Sequence, residues 1–372
     1  MDFVWLLMSN SELLRIKNKQ KTTYKNQKTA SSYKKYRKRP NDRFGFKTIT
    51  IMSIIRFIKN WTLPVAIATG SALYLLFAFV PALDAAGLFF KPVMASLLPI
   101  FMFFTLFVVF CKVDFKKLRP VRWHLWLSLF QIMTVLVLTW LVIGFKLTGD
   151  SLVLVEAMLV CVIGPCASAA PVVTQKLGGN LEQMTTYTFL SNFITALFVP
   201  VCFPLIDKAA DVSFFTAFTL ILYKVATVLV APMALAWAVK HLTPRFHRWI
   251  VGIKDLSYYS WAASLLIVSG TTICNIVHAD TSVWLLCVIA LMGLLLCIMQ
   301  FGAGRFIGHY FGATVNAGQG LGQKNTAFAI WIASAYLNPL STVGPGCYIL
   351  WQNIINSVEI WQSRKQGNEY AS

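Results

Sequence analysis

Apolar runs of about 20 residues, each closed by a short polar or charged stretch, follow one another from residue 61 to residue 362. That length carries a helix across the hydrocarbon of a bilayer. Windows of about 19 residues place spans at 61–80, 92–111, 124–145, 152–175, 183–205, 214–239, 251–276, 281–304, 315–337 and 342–362. Ten spans divide into two halves of five, and an odd number per half inverts the second half in the membrane relative to the first, as in many secondary transporters. Two spans are interrupted. The fourth carries VIGPCASAAPVVTQKLGGN, where Pro165 and Pro171 remove backbone donors at mid-depth. The ninth carries TVNAGQGLGQKNTAFAIW, where Gly318, Gly320 and Gly322 sit beside Gln319, Gln323, Lys324 and Asn325. Both breaks occupy the fourth place of their half, so the pattern predicts discontinuous helices 4 and 9 that cross. Their half-helix ends and freed carbonyls would be able to hold an ion or an anionic substrate. The expected fold class is an all-α polytopic membrane protein of ten transmembrane helices in two inverted five-helix repeats.

Composition agrees with this and removes other classes. Hydrophobic residues make up 57% of the chain and charged ones 13%, against roughly a quarter charged in an ordinary soluble domain. A large soluble catalytic domain has no room. The net charge of +19 would suggest nucleic acid on a soluble fold, but 13 of the 33 Lys and Arg fall in residues 1–51. Most of the others sit in loops on one side: Lys112, Lys116, Lys117, Arg119 and Arg122, then Lys240, Arg245, Arg248 and Lys254, then Arg305, Arg364 and Lys365. The opposite loops offer Lys91, Lys146 and Lys208 among five aspartates. Positive loops face the cytoplasm, so both termini are expected there, with the chain in the cytoplasmic (inner) membrane and no nucleic-acid partner. Residues 1–51 read as a disordered basic leader or a miscalled start ahead of Met52, the alternative being a polybasic segment held on anionic lipid. Residues 52–365 read as the transporter domain and 366–372 as a cytoplasmic tail.

Candidate chemistry is sparse. The eight cysteines lie mostly inside apolar runs with no CxxC pair and no histidine at zinc spacing. His124, His241, His247, His278 and His309 all stand at span ends, and no nucleotide-binding motif is present. Neither an intramembrane enzyme nor a resident cofactor is expected. Asn353, Asn356 and Glu359 recur every three residues and share one helix face, which suits a brace against span four or nine.

Four segments, KNWTLPVA in span one, GPCASAAPVVTQKLGGN in span four, GLGQKNTAFAIW in span nine and WQNIINSVEIW in span ten, taken in their order and spacing resemble the bile acid:sodium symporter family. The likeness runs from about Asn60 to Lys365. It implies a core of spans three to five and eight to ten, a panel of spans one, two, six and seven, and transport of a small organic anion, bile-acid-like or another carboxylate. It also implies a site where the broken helices cross, lined here by Gln131, Cys166, Ser168, Thr174, Thr188, Ser191, Asn192, Gln319, Gln323, Lys324 and Asn325. The family's sodium ligands carry over only in part. Gln131 matches, and Thr188, Ser191, Asn192 and Thr195 fit approximately. The Ser-Asn pair of span four falls on Ala170 and Pro171, the span-nine Glu on Gly320, and the Gln after it on Lys324. A sodium ion beside that ammonium would meet repulsion of about 4 kcal/mol at 4 Å and an effective dielectric of 20. An intramembrane Lys marks a functional site by default. The expectation is that the Lys324 ammonium takes the ion's place, donating to Gln131, Gln323 and freed carbonyls. Proton loading at Lys324, uncoupled uniport, and sodium held at a modified site by Gln131, Ser191 and Asn192 are the other readings. Pro165-Cys166 also resembles the arsenite-exporter branch, where a thiolate would suit arsenic(III), although the span-nine carboxylate of those exporters is missing here.

Overall fold

The computed structural model describes residues 57–206, 214–279 and 281–365. The chain divides into two units, Met1–Lys59 and Asn60–Ser372; residues 57–60 are helical, and the fourteen helices named below belong to the second unit. The expected leader (1–51) and tail (366–372) lie outside the described residues.

Fourteen α-helices follow in order among the described residues: α1 Thr62–Phe79, α2 Asp84–Lys112, α3 Arg122–Gly144, α4 Gly149–Ile163, α5 Ala170–Lys176, α6 Leu181–Ile206, α7 Phe214–Val225, α8 Ala231–Leu242, α9 Pro244–Gly252, α10 Leu256–Val277, α11 Val283–His309, α12 Thr314–Gly322, α13 Thr326–Tyr336 and α14 Val343–Lys365. No strand occurs among these residues, only one isolated bridge at the centre of the bundle. Seven helical stretches are long and apolar enough to cross a membrane: α1, α2, α3, α6, α7 with α8, α10 and α11. The chain is an integral, all-helical polytopic membrane protein. Its outer surface has the apolar character lipid requires, with Leu88, Phe215 and Trp284 each at least 75% exposed.

Several details follow from local chemistry. Pro92 and Pro99 inside α2, and Pro200 and Pro204 inside α6, are carried without a break, since neighbouring groups in a bundle take up the freed carbonyls. α7 and α8 are joined by a π-helical turn, Ala226–Val230, just before Pro232, a usual way to absorb a register change. The stretch between spans six and seven, expected as a loop, instead forms the amphipathic helix α9. α10 then starts at Leu256 after Asp255 in the left-handed conformation, φ 60°, so the seventh span begins five residues later than the hydropathy windows place it.

Small residues set the closest approaches, as is usual where apolar area gives no contrast with lipid. α1 and α10 touch at Gly70, whose added Cβ would stand 1.9 Å from the Leu266 carbonyl oxygen. α11 and α12 touch at Gly304 and Gly308, against Ala317 and Ala313. One apolar cluster gathers α1, α2 and α10 around Phe110 and Leu265, and a second gathers α4, α6, α11 and α13 around Leu159, Val199, Phe301 and Ile332. The two interrupted stretches, α4–α5 and α12–α13, meet beside the second.

Candidate functional site

Breaking a helix inside a membrane leaves carbonyls without partners and amides without acceptors, and each must be satisfied by protein. Here the two breaks satisfy one another first. Residues 164–169 part α4 from α5, and Gln323, Lys324 and Asn325 part α12 from α13. The two unwound segments run antiparallel and pair as a single β-bridge between Cys166 and Lys324. The Ala167 N–H donates to the Gln323 carbonyl at 2.8 Å, and the Asn325 N–H to the Pro165 carbonyl at 2.8 Å. Side chains from flanking helices complete the set. The Cys166 N–H donates to Ser191 Oγ of α6 at 2.9 Å. The Lys324 N–H donates to Gln352 Oε1 of α14 at 2.8 Å, and Gln352 Nε2 returns a bond to the Lys324 carbonyl at 3.1 Å.

The last carbonyls of α4 form the negative end of a half-helix at mid-bundle, and donors converge on them. Lys324 Nζ donates to the Val162 carbonyl at 2.9 Å. Gln131 Nε2 of α3 donates to the same oxygen at 3.1 Å. Thr195 Oγ1 donates to the Ile163 carbonyl at 2.7 Å, and Gln300 Nε2 of α11 lies 3.4 Å from the Cys161 carbonyl. At the end of α12, Tyr348 Oη donates to the Gly322 carbonyl at 2.7 Å and accepts from Gln300 at 3.0 Å. Lys324 is 1% exposed. Its ammonium therefore sits among backbone oxygens inside the protein.

The sequence-derived residues divide into three groups. Gln131, Cys166, Ser191, Gln323, Lys324 and Asn325 come together at the bridge, Asn325 also capping α13 by accepting the Phe328 N–H at 3.2 Å. Thr188 and Asn192 lie beside it but turn into their own helix: Thr188 Oγ1 donates to the Met184 carbonyl and approaches Cys166 Sγ at 3.8 Å, and Asn192 Nδ2 donates to the Thr188 carbonyl. Ser168 lies in the break, half-buried. Thr174 and Gln319 belong elsewhere. Thr174 is buried on α5 near Asn316. Gln319 Nε2 donates to Asn356 Oδ1 at 3.0 Å and Glu359 Oε2 at 2.9 Å, while Arg305 pairs with the same carboxylate. The Asn-Glu face of α14 thus braces α12, as its spacing suggests. Of the acceptors expected for Lys324 Nζ, the structure gives a freed carbonyl, that of Val162, and not the two glutamines: the Gln131 and Gln323 oxygens, both buried, have no hydrogen-bond partner. Gln300, Tyr348 and Gln352, which hold the breaks in place, were not among the sequence candidates.

The oxygens named for sodium are only partly free: Ser191 Oγ accepts the Cys166 N–H and Lys324 Nζ holds the Val162 oxygen, whereas Gln131 Oε1 is buried without a hydrogen-bond partner, and no carboxylate stands among these residues. Nor does Cys166 offer an open thiol site: it is fully buried, with the Thr188 hydroxyl and the Ala167 carbonyl each 3.8 Å from its sulfur. Among the described residues, no group of three or more His, Cys, Asp and Glu is placed to hold a metal.

The model of the sodium bile acid symporter family matches residues 99–279, from mid-α2 to the end of α10. The match takes in Gln131, the α4–α5 break and the polar face of α6, and stops short of Lys324. Comparison with curated proteins returns no match.

Proposed function

We propose that this chain, whose residues 99–279 match the sodium bile acid symporter family, is a secondary carrier of a small organic anion, working by alternating access, in which the Lys324 ammonium stands where a coupling cation would sit. The observation that carries this reading is the Cys166–Lys324 bridge with the ammonium on the Val162 carbonyl. A half-helix carbonyl end stabilises a cation, and an ammonium tied to the backbone supplies that charge without an ion entering. The positive site can then attract a carboxylate.

The ten-span, inverted-repeat plan belongs to the same proposal and has support in matching roles. The third span of each half contributes a glutamine, Gln131 or Gln300, to the α4 carbonyls. The fifth span of each half contributes the acceptor for the bridging residue's N–H, Ser191 for Cys166 and Gln352 for Lys324. On this plan α3–α6 and α11–α14 form the core, and α1, α2, α7, α8 and α10 the panel.

Uptake of a panel of organic anions into proteoliposomes, with sodium and pH gradients imposed separately, tests the proposal. A carboxylate should accumulate with no response to the sodium gradient, and Lys324→Met and Lys324→Gln should reduce uptake to background while the protein remains monodisperse. A response to pH alone assigns the proton as coupling ion, and no response to either gradient makes the protein a uniporter. Uptake that follows sodium, or that survives both substitutions, removes the ammonium from the mechanism.

A further inference from the structure

Where the loop after α2 meets the turn before α6, the protein surface encloses a cavity of about 290 Å³, at the small end of the ~300–1,000 Å³ typical of ligand sites. Lys116, Lys117 and Arg119 line one side, and Asn180, Glu182 and Gln183 the other. Lys117 pairs with Asp114 at 3.7 Å. Lys116 and Arg119 form no ion pair among the described residues, and Glu182 is the opposing carboxylate in the wall. The wall amides are half committed. Asn180 Oδ1 accepts the Gln183 N–H at 2.8 Å and Gln183 Oε1 accepts from Trp123 Nε1 at 2.9 Å, which leaves their NH2 groups to donate. Two unpaired cations and two amide donors around a small cavity suit a compact oxyanion such as a phosphate.

The cavity wall also says which phosphate. Val121 lines it, and from Val121 the positions Leu125, Leu129 and Met133 follow at four-residue spacing along one face of α3. They are 60%, 42% and 58% exposed. An apolar stripe open to lipid therefore runs from the edge of a basic pocket into the bilayer, so headgroup and acyl chain would each meet matching chemistry. Basic pockets at the ends of membrane helices are the usual seats of anionic lipid headgroups.

We propose that this cavity binds the phosphate of an anionic phospholipid whose chain lies along the exposed face of α3. The inference needs only that the protein is embedded in a membrane and is independent of what it transports. Native mass spectrometry of the full-length protein, titrated with dioleoyl phosphatidylglycerol or dioleoyl phosphatidylcholine, tests it. One phosphatidylglycerol should bind ahead of phosphatidylcholine, and the pair Lys116→Gln and Arg119→Gln should weaken it about 25-fold, at roughly fivefold per cation. The equal charge change Arg245→Gln with Arg248→Gln, on α9 and outside the cavity lining, should leave it unchanged, and Lys116→Arg should retain it, which separates loss of the site from loss of fold. Equal affinity for the two lipids, or equal weakening by both charge pairs, overturns the proposal. Displacement of phosphatidylglycerol by millimolar inorganic phosphate reassigns the cavity to a soluble anion and likewise overturns it.

Discussion

Lys324 is held at three atoms, its N–H and carbonyl by the Gln352 amide and its ammonium by the Val162 carbonyl. The amide clamp determines where the charge can be. Gln352→Leu leaves the buried Lys324 N–H without its acceptor, while the Lys324 carbonyl keeps the Thr326 N–H at 3.0 Å. One buried group left unsatisfied costs about 1–3 kcal/mol, and the substitution should lower stability by that amount, read as a fall in the thermal unfolding midpoint in detergent. It should also lower uptake in the folded fraction, since the ammonium loses its seat. Residues of this kind show the limit of reading chemistry from sequence. Lys324 and Cys166 stood out beside a Gly or Pro interruption and Gln131 and Ser191 through the family resemblance, and the fold brings them together. Gln300, Tyr348 and Gln352 did not stand out, because their partners are backbone atoms exposed by breaks in other helices. A carbonyl has no letter in the sequence. Gln352 lay inside a quoted family segment of span ten, which was the one available signal for it.

At the scale of elements, the interruptions were legible because Pro in one span and clustered Gly and amides in the other cannot sustain an apolar helix. Their antiparallel pairing was not, since it depends on depth and direction rather than composition. Helix α9 was missed for a related reason: hydropathy windows see charge, whereas Arg245 and Arg248 occupy one side of a short helix whose Ile250 is buried. Close packing between elements gives a sharp prediction. At Gly70 a methyl group would fall 1.9 Å from a backbone oxygen that belongs to the neighbouring helix α10, so neither helix can give way by a rotamer change. Gly70→Ala should force α1 from α10 and cost about 1–3 kcal/mol, measured as a lower unfolding midpoint. An alanine at Gly302, which meets nothing within 4 Å, is the control and should leave the midpoint unchanged.

For the whole molecule, the polarity of α14 bears on how the protein is made. Its Gln352, Asn353, Asn356 and Glu359 are all buried, and α14 is not among the helices apolar enough to cross alone. α14 is therefore a segment that the lipid phase rejects and the preceding helices accept, through Gln319, Arg305 and the Lys324 backbone. A chain cut after residue 341 should reach the membrane but be cleared by quality-control proteases, seen as a shortened half-life in a pulse-chase experiment, and co-expression of residues 342–372 as a separate peptide should lengthen it. The polar helix α14 would thus act as the internal chaperone of the helices before it.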